Sequence, residues 1–210
     1  MFCSCSNIET KLYYPLGRLA LRIHYLSFSG DSRLKTLGVF CGSRIGKREN
    51  YNLCAKTLGE RMAARGVRLV YGGGRTGLMG VLADSVLEHN GTVMGIIPEF
   101  LCRSEVVHPG LTELKIVENM HLRKKLMYDL SDAFLVLPGG LGTLDEAIEI
   151  INWAHLGLHK KSIILLDVDG YWSLFCKLLS SCDAEEFSNI EDRELYTVLD
   201  DPDRVLEALD

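Results

Sequence analysis

The strongest constraint on this fold is a repeated order of signals: a short unbroken apolar run, a glycine-rich turn, then residues at helical spacing. Residues 36–41 (TLGVFC) form such a run and end at Gly42-Ser43-Arg44-Ile45-Gly46. A helix is predicted over 50–65, carried by Leu53, Thr57, Leu58, Arg61 and Met62 and stopped by Gly66. The run 67–71 enters a second turn, Gly72-Gly73-Gly74-Arg75-Thr76-Gly77-Leu78-Met79-Gly80, before a helix predicted over 81–89. Further strands are predicted over 92–97, 111–118, 133–137 and 162–167. Helices are expected from Asn119 to near Ser131, over 171–181 and over 202–209. Strands that are apolar throughout are buried on both faces, and strands that alternate with helices pair in parallel through crossovers. The expected fold is therefore α/β: one doubly wound, Rossmann-like parallel sheet with helices on both faces, spanning 35–210 without a second-domain boundary.

The chain has 210 residues, a length that suits one domain with a good-sized core. Its formal net charge of −5 argues against a general nucleic-acid-binding surface, so any basic site is local. The 7 cysteines are odd in number and lack zinc-ligand spacing, which points to a reducing cytoplasmic setting without a disulfide framework. No apolar run is long enough to span a membrane. Residues 1–34 read as an N-terminal extension. Arg22 and His24 interrupt its apolar stretch, which makes a poor fit to a cleaved signal peptide.

The glycine turns carry the chemistry. Residues 135–149 (LVLPGGLGTLDEAIE) run from a strand end through glycines into a helix. This arrangement lets backbone N–H groups and the helix dipole approach an anion such as phosphate. Thr143 is the expected N-cap. Thr143-x-x-Glu146 also reads as a capping box, in which Glu146 serves only the backbone. Helix phase separates the two roles. Asp145, Glu149 and Asn152 share a polar arc, whereas Glu146 falls between Ile150 and Trp153, where a carboxylate needs a partner or a task. The second turn contains G-x-G-x-x-G, but the acidic residue beyond the next strand, Glu99, comes too late for an NAD site.

The helix after Asn119 breaks a local rule, since Arg123, Lys124 and Lys125 place cations in its first two turns. By phase, Leu122, Leu126, Met127 and Leu130 make the apolar face and Arg123 falls inside it, while Lys125 points to solvent. A guanidinium there requires a carboxylate or a phosphate, and Glu146 or the glycine turn can supply one. A purely structural Arg–Glu pair fits the same placement. No HExxH is present, and His155 and His159 read as surface or capping residues. There is no P-loop lysine and no G-x-S-x-G elbow.

In order along the chain stand Cys41-Gly42-Ser43, Gly72-Gly73-Gly74 with Gly77-Leu78-Met79-Gly80, Met120-His121-x-Arg123-Lys124, and Pro138-Gly139-Gly140-x-Gly142-Thr143-x-x-Glu146. Together they resemble the LONELY GUY family of cytokinin riboside monophosphate phosphoribohydrolases, some of whose bacterial members cleave AMP and whose older name was possible lysine decarboxylase. The resemblance implies hydrolysis of the N-glycosidic bond of a purine nucleoside monophosphate, giving free base and ribose 5-phosphate. It implies a homodimer with sites near the subunit interface, and no metal or organic cofactor. Arg123 and Glu146 match the catalytic pair. Lys124, Gly140, Leu141, Gly142 and Thr143 match phosphate and ribose contacts, Glu105 and Asn152 match substrate-lining positions, and Ser43, Gly74 and Met120 are weaker candidates. Arg44 departs from the family's serine, and Asp145 from its glutamate. Two rival readings stand beside this one. One is a nucleotide-binding or sensing module without turnover. The other is a decarboxylase, for which no lysine stands out as a Schiff-base partner.

Overall fold

The structure is a computed structural model and describes residues 34–102, 107–188 and 195–209. Seven strands pair in parallel: β1 (Thr36–Phe40), β2 (Arg68–Tyr71), β3 (Val93–Pro98), β4 (Glu113–Val117), β5 (Ala133–Val136), β6 (Ile163–Leu166) and β7 (Thr197–Leu199). Their order is β4-β3-β2-β1-β5-β6-β7. The chain winds outward from β1 to β4, then returns to the other side of β1 for β5. This reversal opens a crevice at the carboxyl ends of β1 and β5, the general ligand position in such sheets. The two strand ends are tied together there by Gly42 N, which donates to Pro138 O at 3.0 Å, and Leu78 N, at the start of the helix after β2, donates to Gly42 O at 3.0 Å.

Among the described residues, five α-helices stand between strands, α1 (Glu49–Ala64), α2 (Gly77–Glu88), α3 (Met120–Leu130), α4 (Leu141–His155) and α5 (Ser173–Ala184), and α6 (Pro202–Val205) follows β7. Leu58 and Met62 of α1, Leu78 and Leu82 of α2, and Val205 of α6 cover one face of the sheet with Leu37, Leu69 and Leu135. Met127 of α3, Ala147 and Ile150 of α4, and Phe175 of α5 cover the other with Val70, Phe134 and Val136. Successive strand residues thus enter opposite cores, which is why the strands carry no alternation.

Several expectations are corrected. β7 is a seventh strand that the sequence did not signal; it is three residues long and none of them is buried. β4 forms the sheet edge and alternates in burial, with Ile116 60% exposed. In α1 the buried face is Tyr51, Cys54, Ala55, Leu58, Gly59 and Met62, so Leu53 and Arg61 lie outside it. The reason is close packing on α2: a Cβ at Gly59 would meet Ser85 Cβ at 2.7 Å, so small residues make the contact that spacing of large ones anticipates. α2 begins at Gly77, four residues before the predicted start, and Gly77 adopts φ +64 where the chain turns into the helix. α6 ends at Val205, short of the 209 expected. The extension over 1–34 lies, but for Leu34, outside the described residues.

Candidate active site at the strand crossover

The turn after β5 delivers the first element of the site. Gly140, not Thr143, is the N-cap of α4, without a side-chain hydrogen bond. Thr143 is the third helical residue and is buried. The alternative reading of Thr143-x-x-Glu146 as a capping box is therefore excluded, because the helix starts two residues before Thr143 and Glu146 has no free end to cap. Thr143 instead packs back against the turn: a Cβ at Gly139 would fall on Thr143 Oγ1 and lie 2.9 Å from Gly42 N. Leu141, Gly142 and Thr143 present first-turn N–H groups, which have no intrahelical acceptor. Open space surrounds Gly140 and Gly142. A cleft of about 540 Å³ lies alongside, lined by Ser43, Arg44, Tyr51, Gly140, Leu141 and Tyr171. Tyr171 O–H donates to Gly139 O and buttresses the turn.

The second element is α3, whose N-cap Asn119 accepts from Leu122 N at 3.0 Å. Within α3 only Arg123 and Met127 are buried; Leu122 is 43% exposed, which corrects the apolar face assigned to it. Arg123 Nη2 rests against Gly72 at the end of β2, where a Cβ would occupy the same space. Its Nη1 lies 3.7 Å from Met120 Sδ, and its Nη2 lies 3.7 Å from Glu146 Oε1. The Arg123 Nε is buried without a hydrogen-bond partner. Two residues placed by phase on apolar faces thus meet each other over the strand ends.

Burial pushes the Glu146 carboxyl up to about 7, with Arg123 opposing the rise and Asp145 adding to it. The buried thiol of Cys41, at the end of β1, is pushed up by burial and by Glu146, with Arg123 again opposing. Cys41 thus lies within electrostatic reach of both members of the couple.

The remaining candidates divide. Lys124 Nζ lies 3.1 Å from Asp145 Oδ2 and 3.0 Å from Glu149 Oε1. Gly74 O accepts from Tyr71 O–H at 3.1 Å, and Gly74 bridges to Val107. His108 secures the same loop: its N donates to Gly73 O at 3.0 Å, and its Nε2 lies 2.8 Å from Asp84 Oδ1. Ser43 is exposed at the cleft. Asn152 is not brought to Glu146; it lines an apolar cavity of about 850 Å³ between α4 and α5 with Ile151, Leu179 and Tyr196. Glu105 lies outside the described residues. His159, expected at the surface, is buried: Lys161 N donates to its Nδ1, and its Nε2 faces Ile150 O at 3.0 Å. That pairing suits a neutral ring, and burial lowers its pKa. Among the described residues no group of three His, Cys, Asp or Glu side chains could hold a metal, and no helix is long and apolar enough to cross a membrane.

The sequence matches known proteins along most of its length. A family profile described as "Possible lysine decarboxylase" matches residues 79–209. A cytokinin riboside 5'-monophosphate phosphoribohydrolase of Rhodococcoides fascians is 42% identical over 176 residues, covering 83% of this chain and 89% of that protein. An enzyme of the same name from Oryza sativa subsp. japonica is 42% identical over 156 residues, covering 74% of this chain and 64% of that protein. Among solved structures, the molybdenum cofactor carrier protein of Chlamydomonas reinhardtii superposes with a TM-score of 0.65 at 21% identity, covering 84% of this chain and 96% of that one. At that identity the likeness is one of fold.

Proposed function

The chain belongs to the LONELY GUY family of phosphoribohydrolases, and from that premise we propose that it hydrolyses the N-glycosidic bond of a cytokinin riboside 5'-monophosphate or of AMP, releasing the base and ribose 5-phosphate. The observation that carries this reading is the buried, incompletely paired Arg123–Glu146 couple beside the glycine turn at the strand crossover. The substrate phosphate sits on the N–H groups of Leu141, Gly142 and Thr143, where the helix dipole favours an anion. Held there, the ribose is presented to Glu146, so remote binding energy goes into orientation. Breaking the bond builds positive charge on the sugar. The Glu146 carboxylate stabilises that charge and positions the attacking water. Arg123 favours the ionised form of Glu146 against the effect of burial and assists departure of the base. The decarboxylase reading finds no support at Lys124. Burial works against its charge, but Glu149 and Asp145 outweigh this and raise its pKa, which is the reverse of what an amine nucleophile needs.

The reading also takes the protein as a homodimer; Leu141, 85% exposed at the mouth of the site, suits a surface that a second copy covers. The test is direct. Purified protein, its mass fixed by light scattering, is incubated with AMP and with isopentenyl-AMP, and ribose 5-phosphate is assayed. Release from at least one, by a dimer, is the expected result. Nucleotide bound in a calorimetric titration but never cleaved identifies a sensing module and overturns the reading.

A pH dependence follows from the same geometry. The reaction needs Glu146 ionised, so kcat/KM should fall as pH drops through about 7. Arg123 lowers the Glu146 pKa, so Arg123→Gln should move this acid limb upward in addition to reducing the rate. A limb that stays in place in the variant separates Arg123 from Glu146 electrostatically and defeats the assignment.

A further inference from the structure

Arg123 and Lys124 are neighbours on α3, and their partners are neighbours on α4. Lys124 Nζ lies within 3.1 Å of Asp145 Oδ2 and 3.0 Å of Glu149 Oε1, and its side chain is only 13% exposed. Asp145 and Glu149 stand four residues apart on one face of α4, on either side of Glu146 in sequence. The Arg123–Glu146 contact behaves differently. At 3.7 Å it is longer than the roughly 2.7–2.9 Å of a charge-assisted hydrogen bond, and Arg123 Nε has no partner. The Lys124 contacts are therefore closed, whereas the catalytic couple is apposed and open.

An open couple of this kind needs an external restraint, because opposite charges in a low-dielectric pocket attract strongly and close whenever their supports allow it. A second attachment one position round each helix supplies that restraint, since it fixes both the rotation and the separation of α3 and α4. We propose that Lys124 is a positioning residue: gripping Asp145 and Glu149, it holds the two helices at a spacing that stops Arg123 and Glu146 from collapsing into a closed ion pair. The guanidinium donors and carboxylate oxygens then stay available to substrate. The family resemblance implies a phosphate contact at Lys124; here two carboxylates already engage its donors. The inference rests on the phosphoribohydrolase reading above and adds to it a residue that acts through others.

The test is a double-mutant cycle on the full chain, read as kcat and KM separately with the nucleotide that wild type cleaves. Lys124→Met and the pair Asp145→Asn/Glu149→Gln should each lower kcat roughly 10- to 100-fold while KM stays within about threefold, because misplacement by about 1 Å costs on that scale. Combining them should cost little beyond Lys124→Met alone, and Lys124→Arg should recover most of kcat. Thermal melts check folding. Asp145→Asn alone, at a side chain 61% exposed, is the mildest variant and should show the same kcat-only pattern in smaller degree. A Lys124→Met effect confined to KM marks a phosphate contact and overturns the proposal. Losses that multiply across the cycle also overturn it. Wild type that cleaves no nucleotide overturns the functional reading and this inference together, whereas an active wild type with a multiplicative cycle overturns this inference alone.

Discussion

Glu146→Gln should lose on the order of 10²-fold or more in turnover and, above neutral pH, fold more stably than the natural protein. Both effects have one cause. Glutamine keeps the shape of the side chain but cannot carry the negative charge that stabilises the sugar cation, and removing one such group costs about 10²- to 10³-fold. The stability effect comes from burial, which lifts the carboxyl from an ordinary 4.5 to about 7 in the folded state. Between those values the unfolded chain releases the proton while the folded chain keeps it. Stability is therefore fully present below about 4.5, falls as pH rises to about 7, and stays low above it. At pH 8 the charge costs the fold up to about 3 kcal/mol, at about 1.4 kcal/mol for each pH unit of displacement. The glutamine variant escapes this cost. Urea unfolding at pH 5 and pH 8 checks it: the two proteins should converge at pH 5 and separate at pH 8, with the variant the more stable. Equal stability at both pH values removes the argument for a destabilised, catalytically poised carboxylate, and near-wild-type turnover removes Glu146 from the chemistry. A functional group that weakens the fold is the pattern expected where activity and stability compete.

Gly72→Ala should cut activity severely, on the order of 10²-fold, while leaving the protein folded. The added Cβ would occupy the position of Arg123 Nη2, with Arg123 Cζ and Met79 Sδ both at 3.3 Å. The obstructing atoms are the far end of an arginine and a thioether, not backbone, so the fold yields at a cost of about 1–2 kcal/mol. The guanidinium, however, must leave the position from which it faces Glu146. Turnover should drop on the order of 10²-fold, since displacement by about 1 Å already costs that much. The acid limb of kcat/KM should shift upward, because the cation that lowers the Glu146 pKa has moved away. Steady-state kinetics beside a thermal melt separates this from simple unfolding. An alanine variant with wild-type kcat and an unmoved limb means that Arg123 does not work from the place it occupies against Gly72.

Much of the fold was legible because its signals are local. Continuous apolar runs at 36–41, 67–71 and 92–97 mark strands buried on both faces wherever they sit in the sheet, and β1, β2 and β3 lie there. Helix phase put Arg123 and Glu146 on apolar faces, and both are buried. Phase also misled where packing, not residue size, chose the face. α1 turns Gly59 and Ala55 inward against α2, and Leu122 of α3 faces out. The start of α4 was misplaced because Thr143 is a good cap in isolation, yet the contact of the Gly139 turn with β1 lets the helix begin at Leu141. β7 was missed because three residues carry too little pattern to mark a strand.

By itself the sequence determined the parallel sheet, the glycine turns at its carboxyl edge, and the burial of one guanidinium and one carboxylate, because hydrophobic periodicity is a property of neighbours in the chain. Only the tertiary structure decided that Gly72, Arg123 and Glu146 converge, that the couple stands open at 3.7 Å, that Lys124 is held by Asp145 and Glu149, and that burial lifts the Glu146 carboxyl to about 7. These quantities depend on distance and local dielectric between segments far apart in sequence, and neither has a value until the chain is folded.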